Sequence, residues 1–197
     1  HVATLPIFVE NVYEAKKDCI TLYGSTPVLE SIQKDIFNDR IWPDFVALSK
    51  NSERPFVRLQ TFEPGESLML EGLKITSVPV NHVVPTVGYV LEDEQGSVVF
   101  IADTGPTEQI WQVANGLTNL RGVFIETTFP NDMKWLADLS LHLTPLMLAE
   151  ELTKLHHKVR VLVVHLKARY QTRVIQELNA LGNPLVEVAQ FGVPYTF

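Results

Sequence analysis

The run Arg160-Val161-Leu162-Val163-Val164 constrains this chain more than any other segment. Four successive apolar residues, three of them valine, read as a strand without polar alternation. Such a strand is buried on both faces, so its sheet must lie between other layers. The expected architecture is therefore α/β: sheets packed together with helices outside. The strand ends on His165. An unsatisfied imidazole would be costly to bury there, and coordination or hydrogen bonding offsets that cost. The sequence leaves both open.

The same arrangement recurs upstream. Val98 to Ala102 reads as a strand ending on Asp103, and Gly122 to Ile125 as a strand ending on Glu126. Leu73 to Val80 is another strand, followed by Asn81 and His82. Ligands of such sheets sit in clefts at the carboxyl ends of strands. Before these come a helix from Leu5 to Ala15, a strand from Ile20 to Tyr23, and a helix opened by Thr26-Pro27. The aromatic stretch from Ile36 to Phe45 reads as a structured loop. Strands follow at Phe56 to Gln60 and Ser67 to Leu70, and Thr86 to Leu91 makes a hairpin with Val98 to Ala102. Helices are expected from Thr107 to Ala114, from Thr144-Pro145 to about His157, and from Tyr170 to Leu181, with a last strand from Val186 to Ala189. Neither a repeat nor a linker interrupts the 197 residues, so one domain over 1–197 is expected.

Composition narrows the chemistry. A net charge of −7 lacks the Lys and Arg excess with which a general nucleic-acid binder displaces counterions. Cys19 is the only cysteine, so an intrachain disulfide and a cysteine-rich zinc site are excluded. Any metal would be held by His and Asp. No apolar run reaches the roughly 18 residues of a membrane-spanning helix.

Each polar residue also has a plainer alternative. Asp103, in Asp103-Thr104-Gly105-Pro106, could cap a turn; as a ligand, its two oxygens could bridge two ions. His82 could be an ordinary loop histidine. His142 lies two residues before Thr144, which caps a helix whose partly positive start attracts anions such as phosphate. Glu126 could accept a hydrogen bond from one nitrogen of His142, the arrangement of an oriented general acid. His156 and His157 read as cations at a helix carboxyl end. Phe37, Trp42 and Phe45 read as core more than as a stacking surface. Lys167 could contact a phosphate or lie in a solvated loop.

Taken together, His82, Asp103, His142 and His165 in this order resemble the second half of the metallo-β-lactamase superfamily. His142-Leu143-Thr144 and Glu126-Thr127-Thr128 look like elements of its RNase Z-like group. Added to these, Ile36-Phe37-Asn38, Ile41-Trp42-Pro43-Asp44-Phe45, Phe129-Pro130-Asn131 and His165-Leu166-Lys167 resemble class II cyclic-nucleotide phosphodiesterases, over nearly the whole chain. The family's signature His-x-His-x-Asp-His is missing. His1-Val2-Ala3-Thr4-Leu5-Pro6 resembles the stretch directly after the Asp of that signature. His1 would then be its last histidine, with the first strands and three ligands upstream.

The resemblance implies a metallo-β-lactamase αβ/βα sandwich and hydrolysis of 3′,5′-cyclic AMP to 5′-AMP by a metal-bound hydroxide. Two divalent ions, zinc first and manganese or iron next, would share Asp103, with His82 on one and His1 and His165 on the other. His142, held by Glu126, would protonate the departing 3′ oxygen. Asn81, Thr144 and Lys167 would face the substrate. The partner implied is a small-molecule cyclic nucleotide, with neither membrane nor nucleic acid; a homodimer and a cytoplasmic setting are compatible with it. A tRNA 3′-processing endonuclease of the same fold, or a metal-free binding module, are the competing expectations.

Overall fold

Thr104, Thr127 and Thr128 are as fully buried as the valines around them, because the polar ends of two strands are folded inward. The computed structural model describes residues 2–14 and 19–197. The chain divides into two compact units, His1–Glu63 and Pro64–Phe197.

The first unit contains α1 (Leu5–Asn11), β1 (Ile20–Gly24), α2 (Thr26–Ser31), a π-helical turn over Ile32–Ile36, α3 (Phe45–Ser49) and β2 (Val57–Thr61). β1 and β2 pair in parallel, with Ile20 opposite Val57. Val9, Leu29, Ile32, Phe37, Phe45 and Val57 form its core. Phe37 and Phe45 meet edge to face at 5.3 Å, so the core reading of these aromatics is the correct one. The stretch expected to be loop throughout contains the start of α3. Asp44 nucleates it by accepting a 2.7 Å hydrogen bond from Ala47 N–H. α1 is shorter than expected, and residues 15–18 lie outside the described residues.

The second unit is built on seven strands: β3 (Ser67–Leu70), β4 (Leu73–Val80), β5 (Thr86–Glu92), β6 (Ser97–Ile101), β7 (Leu120–Glu126), β8 (Arg160–Val164) and β9 (Val186–Val188). They lie side by side in sequence order. β3 to β6 are antiparallel neighbours, and β6 to β9 run parallel. Parallel pairing requires crossovers, which α4 (Gln109–Gly116), α5 (Lys134–Ser140), α6 (Pro145–Leu152) and α7 (Gln171–Ala180) provide. Val99, Ile101, Val123, Ile125, Val161 and Val163 turn one sheet face into the core shared with Ile110, Trp111, Leu148 and Val174. On the opposite face Phe100 stacks on Phe124, which meets Tyr195 and Phe197 edge-on. Gly122 makes room for that packing, since a Cβ there would collide with the Phe197 ring. The result is a mixed α/β sandwich with a central sheet flanked by helices, and β8 is buried as its sequence requires.

Two helices of this unit depart from expectation. α5 is unheralded because Trp135 and Leu139, one turn apart, are exposed, which blurs the apolar stripe. α6 ends at Leu152 rather than near His157. Thr153 Oγ1 bonds back to Glu150 O, and Asn115 Oδ1 takes the His156 N–H. His156 and His157 therefore lie beyond the helix, and the helix-end reading of them is corrected.

The topology fixes where the site must be. β6, β7 and β8 run parallel, so Asp103, Glu126 and His165 emerge at one edge of the sheet. β4 is two antiparallel steps from β6 and so ends at that same edge, with His82 just beyond it.

Candidate metal centre

Asp103, Glu126, His142 and His165 each bring a ligand atom to within 4.8 Å of the others. His165 Nε2 is 3.3 Å from Asp103 Oδ1, and His82 Nε2 is 4.0 Å from Asp103 Oδ2. The Ala102–Asp103 peptide is cis. Leu141 and His165 have φ of 51° and 59°, in the left-handed region that non-glycine residues seldom enter. Each such residue costs on the order of 1–3 kcal/mol, and these cluster where packing must aim a side chain.

The hydrogen-bond network determines which histidine nitrogens carry protons. His82 Nδ1 is 2.9 Å from Leu141 O. A carbonyl only accepts, so Nδ1 holds a hydrogen, and in the neutral ring Nε2 turns a lone pair toward Asp103. The left-handed turn at Leu141, which closes α5, delivers that carbonyl. His142 Nδ1 donates to Glu126 Oε1 at 2.5 Å.

Glu126 is 0% exposed and fully engaged. It accepts from His142 at 2.5 Å and Thr104 N–H at 2.9 Å on Oε1, and from Thr128 O–H at 2.7 Å and Leu143 N–H at 3.2 Å on Oε2. Two carboxylate oxygens offer about four lone-pair sites, so that complement is filled. Glu126 thus stands near an ion site but serves protein donors. The donors that converge are the Asp103 carboxylate and the imidazoles of His165 and His82. The cluster of Asp103, Glu126, His142 and His165, with His82 beside it, is suitable for one or two divalent ions.

Other expected residues are found close by. Asn81 braces the Asp103 loop: its side chain donates to Pro106 O at 3.0 Å and its carbonyl accepts from Gly105 N–H at 2.7 Å. Thr144 caps α6 and takes the Met147 N–H. Lys167 Nζ lies 5.6 Å from the Phe129 ring centroid, within cation–π range. His1 lies outside the described residues. The sequence reading overlooked Leu141 O, the Thr104 and Leu143 N–H groups, and Thr128 Oγ1. Only Thr128 left a side-chain signal, as the third residue of Glu126-Thr127-Thr128.

A second buried carboxylate supports the loop from behind. Glu151 on α6 accepts from Trp111 Nε1 at 2.7 Å and Thr107 N–H at 3.1 Å, and pairs with Lys154 at 2.8 Å. It links α6 to the segment that follows Asp103.

The sandwich and its His/Asp cluster at the carboxyl edge define a metallo-β-lactamase fold with a site for divalent metal. A family model described as the beta-lactamase superfamily domain matches residues 1–166, and the chain belongs to that superfamily. A probable 3′,5′-cyclic-nucleotide phosphodiesterase of Yersinia pestis is 27% identical over 176 residues, covering 77% of this chain and 50% of its own length. A 3′,5′-cyclic-nucleotide phosphodiesterase of Aliivibrio fischeri is 26% identical over 223 residues, covering 100% of this chain and 64% of its own length. The chain thus spans between half and two-thirds of these relatives. The crystal structure of unliganded yeast PDE1 has a TM-score of 0.78 at 20% identity, covering 96% of this chain and 64% of the other. Human tRNase Z, short form, has a TM-score of 0.64 at 15% identity, covering 96% and 72%. At these identities the structural likeness is one of fold. Among the described residues no helix is long and apolar enough to cross a membrane.

Proposed function

We propose that this chain carries the catalytic site of a metal-dependent phosphodiesterase that hydrolyses 3′,5′-cyclic nucleotides to 5′-nucleotides. The observation that carries the reading is the buried Glu126–His142 pair beside the converging Asp103 and His165. A thioester or lactam hydrolase has less need of such an acid. The names of the two bacterial relatives favour a cyclic nucleotide as substrate.

Asp103, His82 and His165 would hold the ions, zinc by preference. When bound, such ions lower the pKa of water from about 15.7 towards 7 and neutralise charge on phosphate oxygens. Glu126 keeps the His142 ring fixed through Nδ1, so that Nε2 is the nitrogen that releases a proton to the departing 3′ oxygen. The Glu126 carboxylate, accepting the Nδ1 hydrogen, complements the positive charge of the ring when Nε2 also carries its proton. The start of α6, capped by Thr144, and the Lys167 ammonium would favour an anionic substrate near His142. Asn81 would act by holding the turn that carries Asp103.

The test is turnover of cyclic AMP by zinc-loaded protein, repeated after chelator treatment, with pre-tRNA cleavage measured in parallel. Metal-dependent release of 5′-AMP without tRNA cleavage supports the proposal. No cyclic AMP turnover by metal-replete protein ends it. The fold would then serve a nuclease if tRNA is cut, and a binding module if nothing is.

A further inference from the structure

Thr128 sits two residues beyond Glu126, is fully buried, and has more neighbours than its one hydroxyl proton can serve. Its Oγ1 lies 2.7 Å from Glu126 Oε2, 2.9 Å from His165 Nδ1, 3.2 Å from His165 O and 3.4 Å from His142 Nδ1. A hydroxyl donates once and accepts twice. The proton goes to Glu126, which is both the shortest contact and the charged acceptor. The hydrogen of His142 Nδ1 is already directed at Glu126 Oε1, 2.5 Å away. Thr128 Oγ1 can therefore meet His165 Nδ1 only by accepting. Nδ1 then carries a hydrogen, and in the neutral ring Nε2, 3.3 Å from Asp103 Oδ1, presents a lone pair that only a proton or a cation can bring against that carboxylate.

We infer that Thr128 is the positioning residue that locks His165 in the Nδ1–H tautomer, so that its Nε2 is ready to bind a divalent cation. This rests on the metal-site reading given above. Glu126 then has two roles, since it orients His142 directly and His165 through a single hydroxyl. Partners that fix a ligand imidazole in this way are typically worth 10–100-fold in metal affinity. The chain of acceptors also explains why a threonine rather than a valine occupies a fully buried position at the end of β7.

The experiment uses the full chain in its metal-free form at about pH 8, above the ordinary histidine range. Long-range nitrogen-15 NMR reads which ring nitrogen of His165 is protonated, and chelator competition reads zinc affinity. Wild type should show Nδ1–H. Thr128→Val removes the hydroxyl at nearly constant volume; it should shift His165 toward Nε2–H and weaken zinc binding by ~10–100-fold. Thr128→Ser keeps the hydroxyl and should restore both. An Nε2–H tautomer in the wild type overturns the inference even if Thr128→Val fails to fold. So does a folded Thr128→Val chain that keeps the Nδ1–H tautomer and full zinc affinity. A wild-type chain with Nδ1–H that takes up no zinc overturns the metal-binding purpose, and the proposed function with it, while leaving the tautomer assignment standing.

Discussion

Glu126 Oε1 and His142 Nδ1 stand 2.5 Å apart, and the carboxylate has its other lone pairs occupied by Thr104, Leu143 and Thr128. The pair joins the end of β7 to the residue that follows α5 and Leu141. A carboxylate held by so many donors cannot turn away from the ring, so the imidazole is fixed in both position and proton placement.

His142→Ala should lower phosphodiesterase turnover by ~10²–10⁴, the usual scale for losing a general acid. Metal stoichiometry, measured by elemental analysis, should be unchanged. Wild-type turnover in this variant would remove His142 from the chemistry.

Glu126→Gln should reduce stability as well as rate. One carboxamide position becomes a donor, and it must face N–H or O–H groups that now donate to Glu126. An unsatisfied buried polar group costs about 1–3 kcal/mol, which urea denaturation would register as a lower midpoint at unchanged slope. A midpoint equal to wild type would mean that Glu126 is less committed than its hydrogen bonds indicate.

Asp103→Ala removes a carboxylate that approaches both His82 and His165. The chain should stay folded and lose most of its bound metal and its turnover together, as chelator treatment of wild type should. Retained metal at full occupancy would place the ion elsewhere.

Much of this site can be read from the sequence, and the part that cannot has a common cause. Asp103, Glu126 and His165 were legible because each ends an apolar strand, and strand ends at one edge follow from parallel pairing. His82 was legible from its place after Val80, but its partner was not: Leu141 O is a backbone atom 59 residues away, delivered by a left-handed turn. Carbonyls and amides have no sequence signature. α3 spans only five residues, too few to display a period, and the exposed Trp135 and Leu139 blur the apolar stripe of α5. The end of α6 was misplaced because two histidines resemble a helix terminus, whereas Thr153 and Asn115 stop the helix earlier.

Glu151→Ala should destabilise the second unit by about 1–3 kcal/mol, since Trp111 Nε1 and the Thr107 N–H lose a buried acceptor. Trp111 emission should broaden or shift, and the melting temperature should fall. Preserved stability would indicate that water replaces the carboxylate.

Alkaline pH should weaken the fold through two groups. Burial pushes the Tyr89 phenol above its ordinary value of 10.0. For Lys154 burial acts downward, but hydrogen bonds and charge from Glu108 and Glu151 outweigh it and hold the ammonium above 10.5. In both cases the folded chain keeps a proton that the unfolded chain releases. Stability is therefore unaffected below these ordinary values and declines as pH rises past them. Tyr89→Phe should flatten that decline in urea midpoints measured across the alkaline range; an unchanged slope would exclude Tyr89 as a contributor.

The left-handed turn at Leu141 has a consequence for how the protein could change. His82 is aimed by a peptide oxygen, and no side-chain substitution at position 141 can delete that oxygen. Residue 141 can therefore vary in size or polarity, glycine and asparagine included, while His82 remains aimed, provided the chain still bends the same way. A β-branched residue is the change to avoid, because it resists the bend. His165 is the opposite case: its aim depends on one threonine hydroxyl that a single base change can remove. Two histidines facing the same carboxylate thus differ in how easily mutation can disarm them, and variants that lose function at this site should accumulate around the second of the pair.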